Sequence, residues 1–99
     1  MSAYLILDID VHNQELYARY VAQATSIIEK AGGRYLVRGG RVTRLSGEWL
    51  PKRLVVIRFE TVQQARDCFA SPEYRKIAPL REEAATSRAV IVEGYAPPQ

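Results

Sequence analysis

Residues 32–59, GGRYLVRGGRVTRLSGEWLPKRLVVIRF, decide the fold. Gly32-Gly33 closes the helical pattern before it, because glycine reaches positive φ without a Cβ clash. Residues 34–38 then alternate, with Tyr35 and Val37 expected on one face and Arg34, Leu36 and Arg38 on the other. A strand pattern interrupted by Gly39-Gly40 and continuing through Arg41–Leu45 predicts a bulge, a bend or close backbone approach at the glycines. Ser46-Gly47 signals a turn, and Pro51 cannot donate to a ladder, so 48–51 reads as a loop or short edge segment. Arg53–Phe59 is the strongest strand. It is β-branched through Val55-Val56-Ile57 and apolar on both faces, which predicts a central strand covered on both sides.

The rest of the chain fits around this hairpin. Residues 3–11 alternate as a strand, with Leu5, Leu7, Ile9 and Val11 on the core face and Tyr4, Ile6, Asp8 and Asp10 opposite. Asn13 is a good N-cap for a helix from Gln14 to about Ala31, whose stripe includes Tyr17, Tyr20, Ala24 and Ile28. Thr61–Gln64 reads as a capping box for a second helix, which Ser71-Pro72 restarts. Pro79 is expected to kink or break that second piece near Lys76. Residues 88–95 read as a last strand and 96–99 as a tail. The order β-α-β-β-α-β defines an α+β, ferredoxin-like domain over residues 1–95, with helices on one face of a four-stranded antiparallel sheet. Its other face carries apolar groups such as Ile6, which predicts a homodimer packed sheet to sheet.

Composition excludes several classes. A chain of 99 residues with 47% hydrophobic content fits one globular domain. No apolar run has the length of a membrane span, and the N-terminus starts a strand pattern at once, with no basic n-region and no cleavage site, so no secretory signal is expected. The single cysteine, Cys68, rules out an internal disulfide framework and suits a reducing cytoplasm. The net charge of +3 is unevenly placed: Gly33–Phe59 holds seven basic residues against Glu48 alone. Arginine dominates among them, and its fork of donors suits carboxylate or phosphate.

Tyr17-x-x-Tyr20, the block Gly32–Gly40, Gly47-x-Trp49-x-Pro51-x-Arg53, Ser71-Pro72-x-Tyr74, Arg81 and Val92-Glu93-Gly94 resemble the domain of unknown function 1330 family. The resemblance spans nearly the whole chain. That family is similar to the dimeric α+β barrel superfamily, whose members include cofactor-independent monooxygenases acting on aromatic polyketides, muconolactone isomerase and stress-responsive proteins. The resemblance therefore implies the fold and a dimer, and no particular reaction. One departure is Ser46, which stands where the family often has an acid before the Gly-x-Trp segment.

Candidate residues fall into three groups. Arg38, Arg53 and Arg81 can hold a carboxylate or enolate oxygen, or can pair with Asp8, Asp10, Glu48 or Glu93 across strands. Tyr20, Tyr35 and Tyr74 can orient an aromatic or enol ligand, although Tyr17 and Tyr20 on the helix stripe also read as core. Asp8 and His12 are the candidate proton carriers, and Trp49 a partner anchor or pocket lid. His12 is the only histidine and has no cysteine beside it, so no metal site is expected, and no cofactor motif occurs. The leading expectation is a homodimer that binds or converts a small anionic or aromatic molecule without cofactor. The alternative is a structural or stress-related dimer. RNA binding fits the fold but lacks its chemistry, because only Phe59 on the central strand is aromatic.

Overall fold

In a computed structural model, which describes residues 1–96, the chain runs β1 (Ala3–Val11), α1 (Gln14–Lys30), β2 (Arg34–Arg38), β3 (Arg53–Phe59), α2 (Val62–Ala70), α3 (Pro72–Ala84) and β4 (Ala85–Glu93). The tail expected at 96–99 lies, from residue 97 onward, outside the described residues. The strands form one antiparallel sheet in the order β2-β3-β1-β4. All helices pack on one face, which is the ferredoxin-like α+β arrangement expected from the sequence. Leu5, Leu7 and Ile9 of β1 and Val55, Ile57 and Phe59 of β3 are buried beneath them. Each such side chain contributes about 1.5–3 kcal/mol by leaving water.

Local signals account for the element ends. The Asn13 side chain accepts from Leu16 N at 3.0 Å to start α1. Gly32 N donates to Glu29 O and Gly33 N to Ile28 O, at 3.0 and 2.9 Å, which completes a Schellman stop. Gly32 adopts φ +95°, and a Cβ on Gly33 would lie 2.6 Å from Ile28 Cγ2 and 2.9 Å from Phe59 Cζ. The pair thus meets two separate demands, a left-handed residue and a close approach to the core. Gly32→Ala is expected to lower stability by about 1–2 kcal/mol, the cost of a Cβ in that conformation. Chemical denaturation would test this, and an unchanged midpoint would contradict it.

Five expectations need correction. The Arg41–Leu45 strand does not form; 39–52 is an irregular connection that leaves the sheet after Arg38. Beyond Gly39, whose N–H still donates to Leu54 O, this segment forms no regular ladder. Within β2 the alternation breaks: Tyr35 pairs with Ile57 and Val37 with Val56, so Leu36 is an extra, bulged residue. The bulge returns Arg38 to the face of Tyr35 and sends Val37 to the other, contrary to a strict two-residue repeat. β3 is covered on one face only, since its other face, with Leu54, Val56 and Arg58, is open and only half-buried by its neighbours. Helix α3 runs unbroken through Pro79. Pro79 and Arg75 both lie on the exposed side, so water can serve the Arg75 carbonyl that Pro79 cannot reach. Finally, β4 starts at Ala85 and ends at Glu93, because it pairs with β1 as far as Val11.

Candidate functional site

The helix-side layer gathers the tyrosines and arginines. On α1, Tyr17 and Tyr20 lie one turn apart and both are buried. The Ser71 cap starts α3 by accepting from Tyr74 N at 3.3 Å, which fixes Tyr74 in the first turn, pointing inward. The hydroxyls of Tyr20 and Tyr74 lie 2.7 Å apart, and Arg81, two turns further along α3, donates from Nη1 to the Tyr74 hydroxyl at 2.8 Å. Burial pushes the Tyr20 phenol well above the usual range, with Tyr74 beside it adding to the shift. Burial raises Tyr74 as well, against the opposing pull of Tyr20 and Arg81. Both phenols are therefore neutral at ordinary pH and available for hydrogen bonding.

Three guanidiniums stack on tyrosine rings. Arg38 lies 4.6 Å from the centre of Tyr35, Arg53 5.3 Å from Tyr17 and Arg81 5.9 Å from Tyr74. Each such stack is worth about 0.5–2 kcal/mol, more where water is excluded. Arg38 also donates to Thr25 Oγ1 at 2.8 Å and Arg53 to the Tyr17 hydroxyl at 3.3 Å. The expected cross-strand pairing of these arginines with carboxylates is absent among the described residues. The ion pairs there are Arg19–Glu15, Lys52–Asp10 and Arg88–Asp8.

Two spaces adjoin this layer. A narrow cleft under α1 is bordered by Tyr17, Tyr20, Tyr35, Arg38 and Arg53 and holds only about 20 Å³. Burial pushes the Tyr35 phenol in its wall up to about 12. A groove of about 750 Å³ runs between α2–α3 and β1–β4, walled by Leu5, Leu7, Phe69, Ala78 and Ile91. Tyr74 and Arg81 form its polar part, and Arg66, Arg75 and Glu82 also border it. Tyr20 faces the cleft and Tyr74 the groove, so their hydrogen bond bridges the partition. Arg81 Nε is buried without an acceptor.

The remaining candidates lie elsewhere. Asp8 is on the open face, where its Oδ2 accepts from Trp49 Nε1 and Arg88 Nε, both at 3.1 Å. This contact ties the 39–52 connection to the sheet. His12 is exposed in the β1–α1 turn, with its backbone N–H on Ala84 O. Neither proton-carrier candidate borders the cleft or the groove. Phe59 is fully buried beneath the helices, so it offers no platform for a nucleic-acid base. Sequence reasoning missed Thr25, Phe69, Glu82 and Arg88. Of these, only Arg88 carried a usable signal, its place directly opposite Asp8 once the β1–β4 register is known. Among the described residues no three His, Cys, Asp or Glu side chains converge on a metal-sized site, and no helix is long and apolar enough to cross a membrane.

Sheet order and one-sided helices define a ferredoxin-like α+β protein. Residues 2–95 match the family described as a domain of unknown function, DUF1330, and the chain belongs to that family. Among solved structures, a protein of unknown function from Rhodopseudomonas palustris is 18% identical, with TM-score 0.78 over 97% of this chain and 84% of the other. The cofactor-independent oxygenase SnoaB from Streptomyces nogalater is 15% identical, with TM-score 0.67 over 97% and 95%. A putative antibiotic biosynthesis monooxygenase from Nitrosomonas europaea is 14% identical, with TM-score 0.59 over 97% and 92%. These likenesses show the fold. No curated protein matches.

Proposed function

We propose that the chain binds a small, ring-sized molecule bearing one acidic oxygen (a phenol, enol or carboxylate) in the groove and assists proton transfer at that oxygen without a cofactor. The observation that carries this reading is Arg81. Its Nε is buried with no acceptor, its Nη1 is held by Tyr74, and no carboxylate pairs with it among the described residues. A buried donor left unmet costs about 1–3 kcal/mol, and a turn of the guanidinium toward the groove would let an anionic oxygen meet it. The groove has the size and the mainly apolar walls of a small-molecule site. Arg66 and Arg75 along it favour an anion over a cation.

The chemistry follows from the hydroxyl pair. With Tyr20 donating to Tyr74, the Tyr74 proton is free to point at the ligand oxygen. Arg81 then supplies charge and Tyr74 a hydrogen bond to an enolate as it develops. Glu82, at the exposed margin, is the carboxylate that borders this groove and is placed to accept a proton. SnoaB, described as a cofactor-independent oxygenase, supports the idea that this fold can act on a substrate with protein groups alone.

A thermal-shift series with phenol, a naphthol and a cyclic enol, ring acids that carry no carboxylate, tests the reading. A ligand present at 100 times its Kd should stabilise the wild type by about 2.7 kcal/mol. Arg81→Gln should remove that shift. If no ring acid moves the wild type, or if Arg81→Gln responds equally, the groove is not the site.

The open face supports a second element of the proposal, a second copy of the chain. Val90 and Val92 are 62% and 48% exposed, and Leu36 and Val37 add 46% and 39%. On the same face lie Ile6, Leu54 and Val56, and Trp49 is held at its margin by Asp8. Apolar surface of this extent on a sheet signals a partner. Val90→Asp combined with Val92→Asp should convert the protein from dimer to monomer by light scattering. A wild type that is itself monomeric, or a double variant that stays dimeric, would remove the proposal.

A further inference from the structure

The cleft under α1 is chemically distinct from the groove. We propose that Arg38 and Arg53 form a separate seat for the carboxylate head of a small acid. The two guanidiniums reach one cleft by different routes: Arg38 through the bulge at Leu36, and Arg53 through the ordinary alternation of β3 with Val55 and Ile57. Each is anchored on one neutral oxygen, Thr25 Oγ1 or the Tyr17 hydroxyl, and stacked on one ring. Neither has a carboxylate partner among the described residues. Two like charges sharing a cleft repel one another, and an arginine carries five N–H donors, so most of the donor capacity here is unspent.

The cleft sets the size of what fits. About 20 Å³ admits roughly one oxygen atom. A carboxylate can therefore place one oxygen inside, between the two forks, and keep its carbon skeleton outside. Gly39 packs against the Arg53 guanidinium. It adopts φ +74°, its N–H donates to Leu54 O at 3.0 Å, and a Cβ there would collide with the Arg53 guanidinium. The backbone thus closes directly over Arg53, with Gly40 beside it facing open space. Arginine forks accept phosphate as well as carboxylate, but phosphate spreads its oxygens tetrahedrally and is bulkier at the entrance to so small a space than a flat carboxylate. The tyrosine pair that bridges to the groove keeps the two anion positions apart.

The test follows the Nε–H signal of Arg53 and the amide of Gly39 by 15N–1H NMR during titration with acetate. Inorganic phosphate and chloride, at matched ionic strength, are run alongside. Saturable shifts with acetate alone are expected. Arg38→Gln should abolish them, and Arg38→Lys, which keeps the charge without the fork, should weaken binding by about tenfold or more. Arg81→Gln should leave them intact, which separates this seat from the groove. Shifts that chloride reproduces, that saturate only with phosphate, that survive in Arg38→Gln or that vanish in Arg81→Gln would each overturn the proposal. Arg38 is exposed, so its variants report on binding without the loss of a buried side chain.

Discussion

Truncating Phe59 to alanine is expected to lower stability by about 3–5 kcal/mol, the range for emptying a buried aromatic site. The ring is fully buried at the end of β3, beside Gly33 at the stop of α1 and edge-on to Phe69 at 6.4 Å. It therefore joins the sheet to two helices. Neighbouring backbone is poorly placed to fill the void, because the Gly33 segment is held by the hydrogen bond to Ile28 O. Domains of this size have about 5–15 kcal/mol in total, so the change removes a large share. Urea denaturation should show a lower midpoint with an unchanged slope. A loss below about 1 kcal/mol would mean that the site collapses freely, and the joining role would be wrong.

The second large effect concerns the hydroxyl pair, and its content is an asymmetry. Tyr74→Phe removes the partner of both Tyr20 and Arg81, leaving two buried polar groups unmet. At about 1–3 kcal/mol for each such group, a loss of roughly 2–4 kcal/mol is expected. Tyr20→Phe removes one bond, while Tyr74 keeps Arg81, so about 1–2 kcal/mol is expected. The double variant should cost less than the sum of the two, because the same bond is counted in both. Equal losses for the two single variants would show that Arg81 does not depend on Tyr74, and the proposed hydrogen-bond donor would lose its support.

Much of the fold was readable because its signals are local. Asn13, Thr61 and Ser71 cap helices through their own side chains, and the Gly32-Gly33 stop needs only the backbone around it. Strands β1 and β3 announced themselves by composition and alternation. What escaped was whatever depended on pairing. The bulge at Leu36 exists because β2 meets β3, and nothing in Arg34–Arg38 itself breaks the repeat. The end of β2 at Arg38 and the early start of β4 likewise depend on how far a neighbouring strand extends. Pro79 misled for another reason: its cost depends on whether the orphaned carbonyl can reach water.

The candidate site was legible as a set of residue types and not as a place. Arg38, Arg53, Tyr20, Tyr35, Tyr74 and Arg81 all lie in the helix-side layer, but they divide between a narrow cleft and a roomy groove. That division turns on one hydrogen bond between residues 54 positions apart. Asp8 drew attention as a carboxylate in a strand. Its partners, Trp49 and Arg88, come from a loop and from the last strand, and no local pattern ties them to it.

The bulge also has an evolutionary reading. Because β2 carries one surplus residue, a single-codon deletion at Leu36 would restore a regular ladder at little steric cost on this outer strand. The pairings of Val37 with Val56 and of Arg38 with Val55 would stand, so Arg38 would keep to the helix layer and Val37 to the outer face. A relative without that position would carry the same arginine over the same cleft, two residues after its tyrosine instead of three. Counting along the chain would then assign the two arginines to opposite faces, while the ladder assigns them to one.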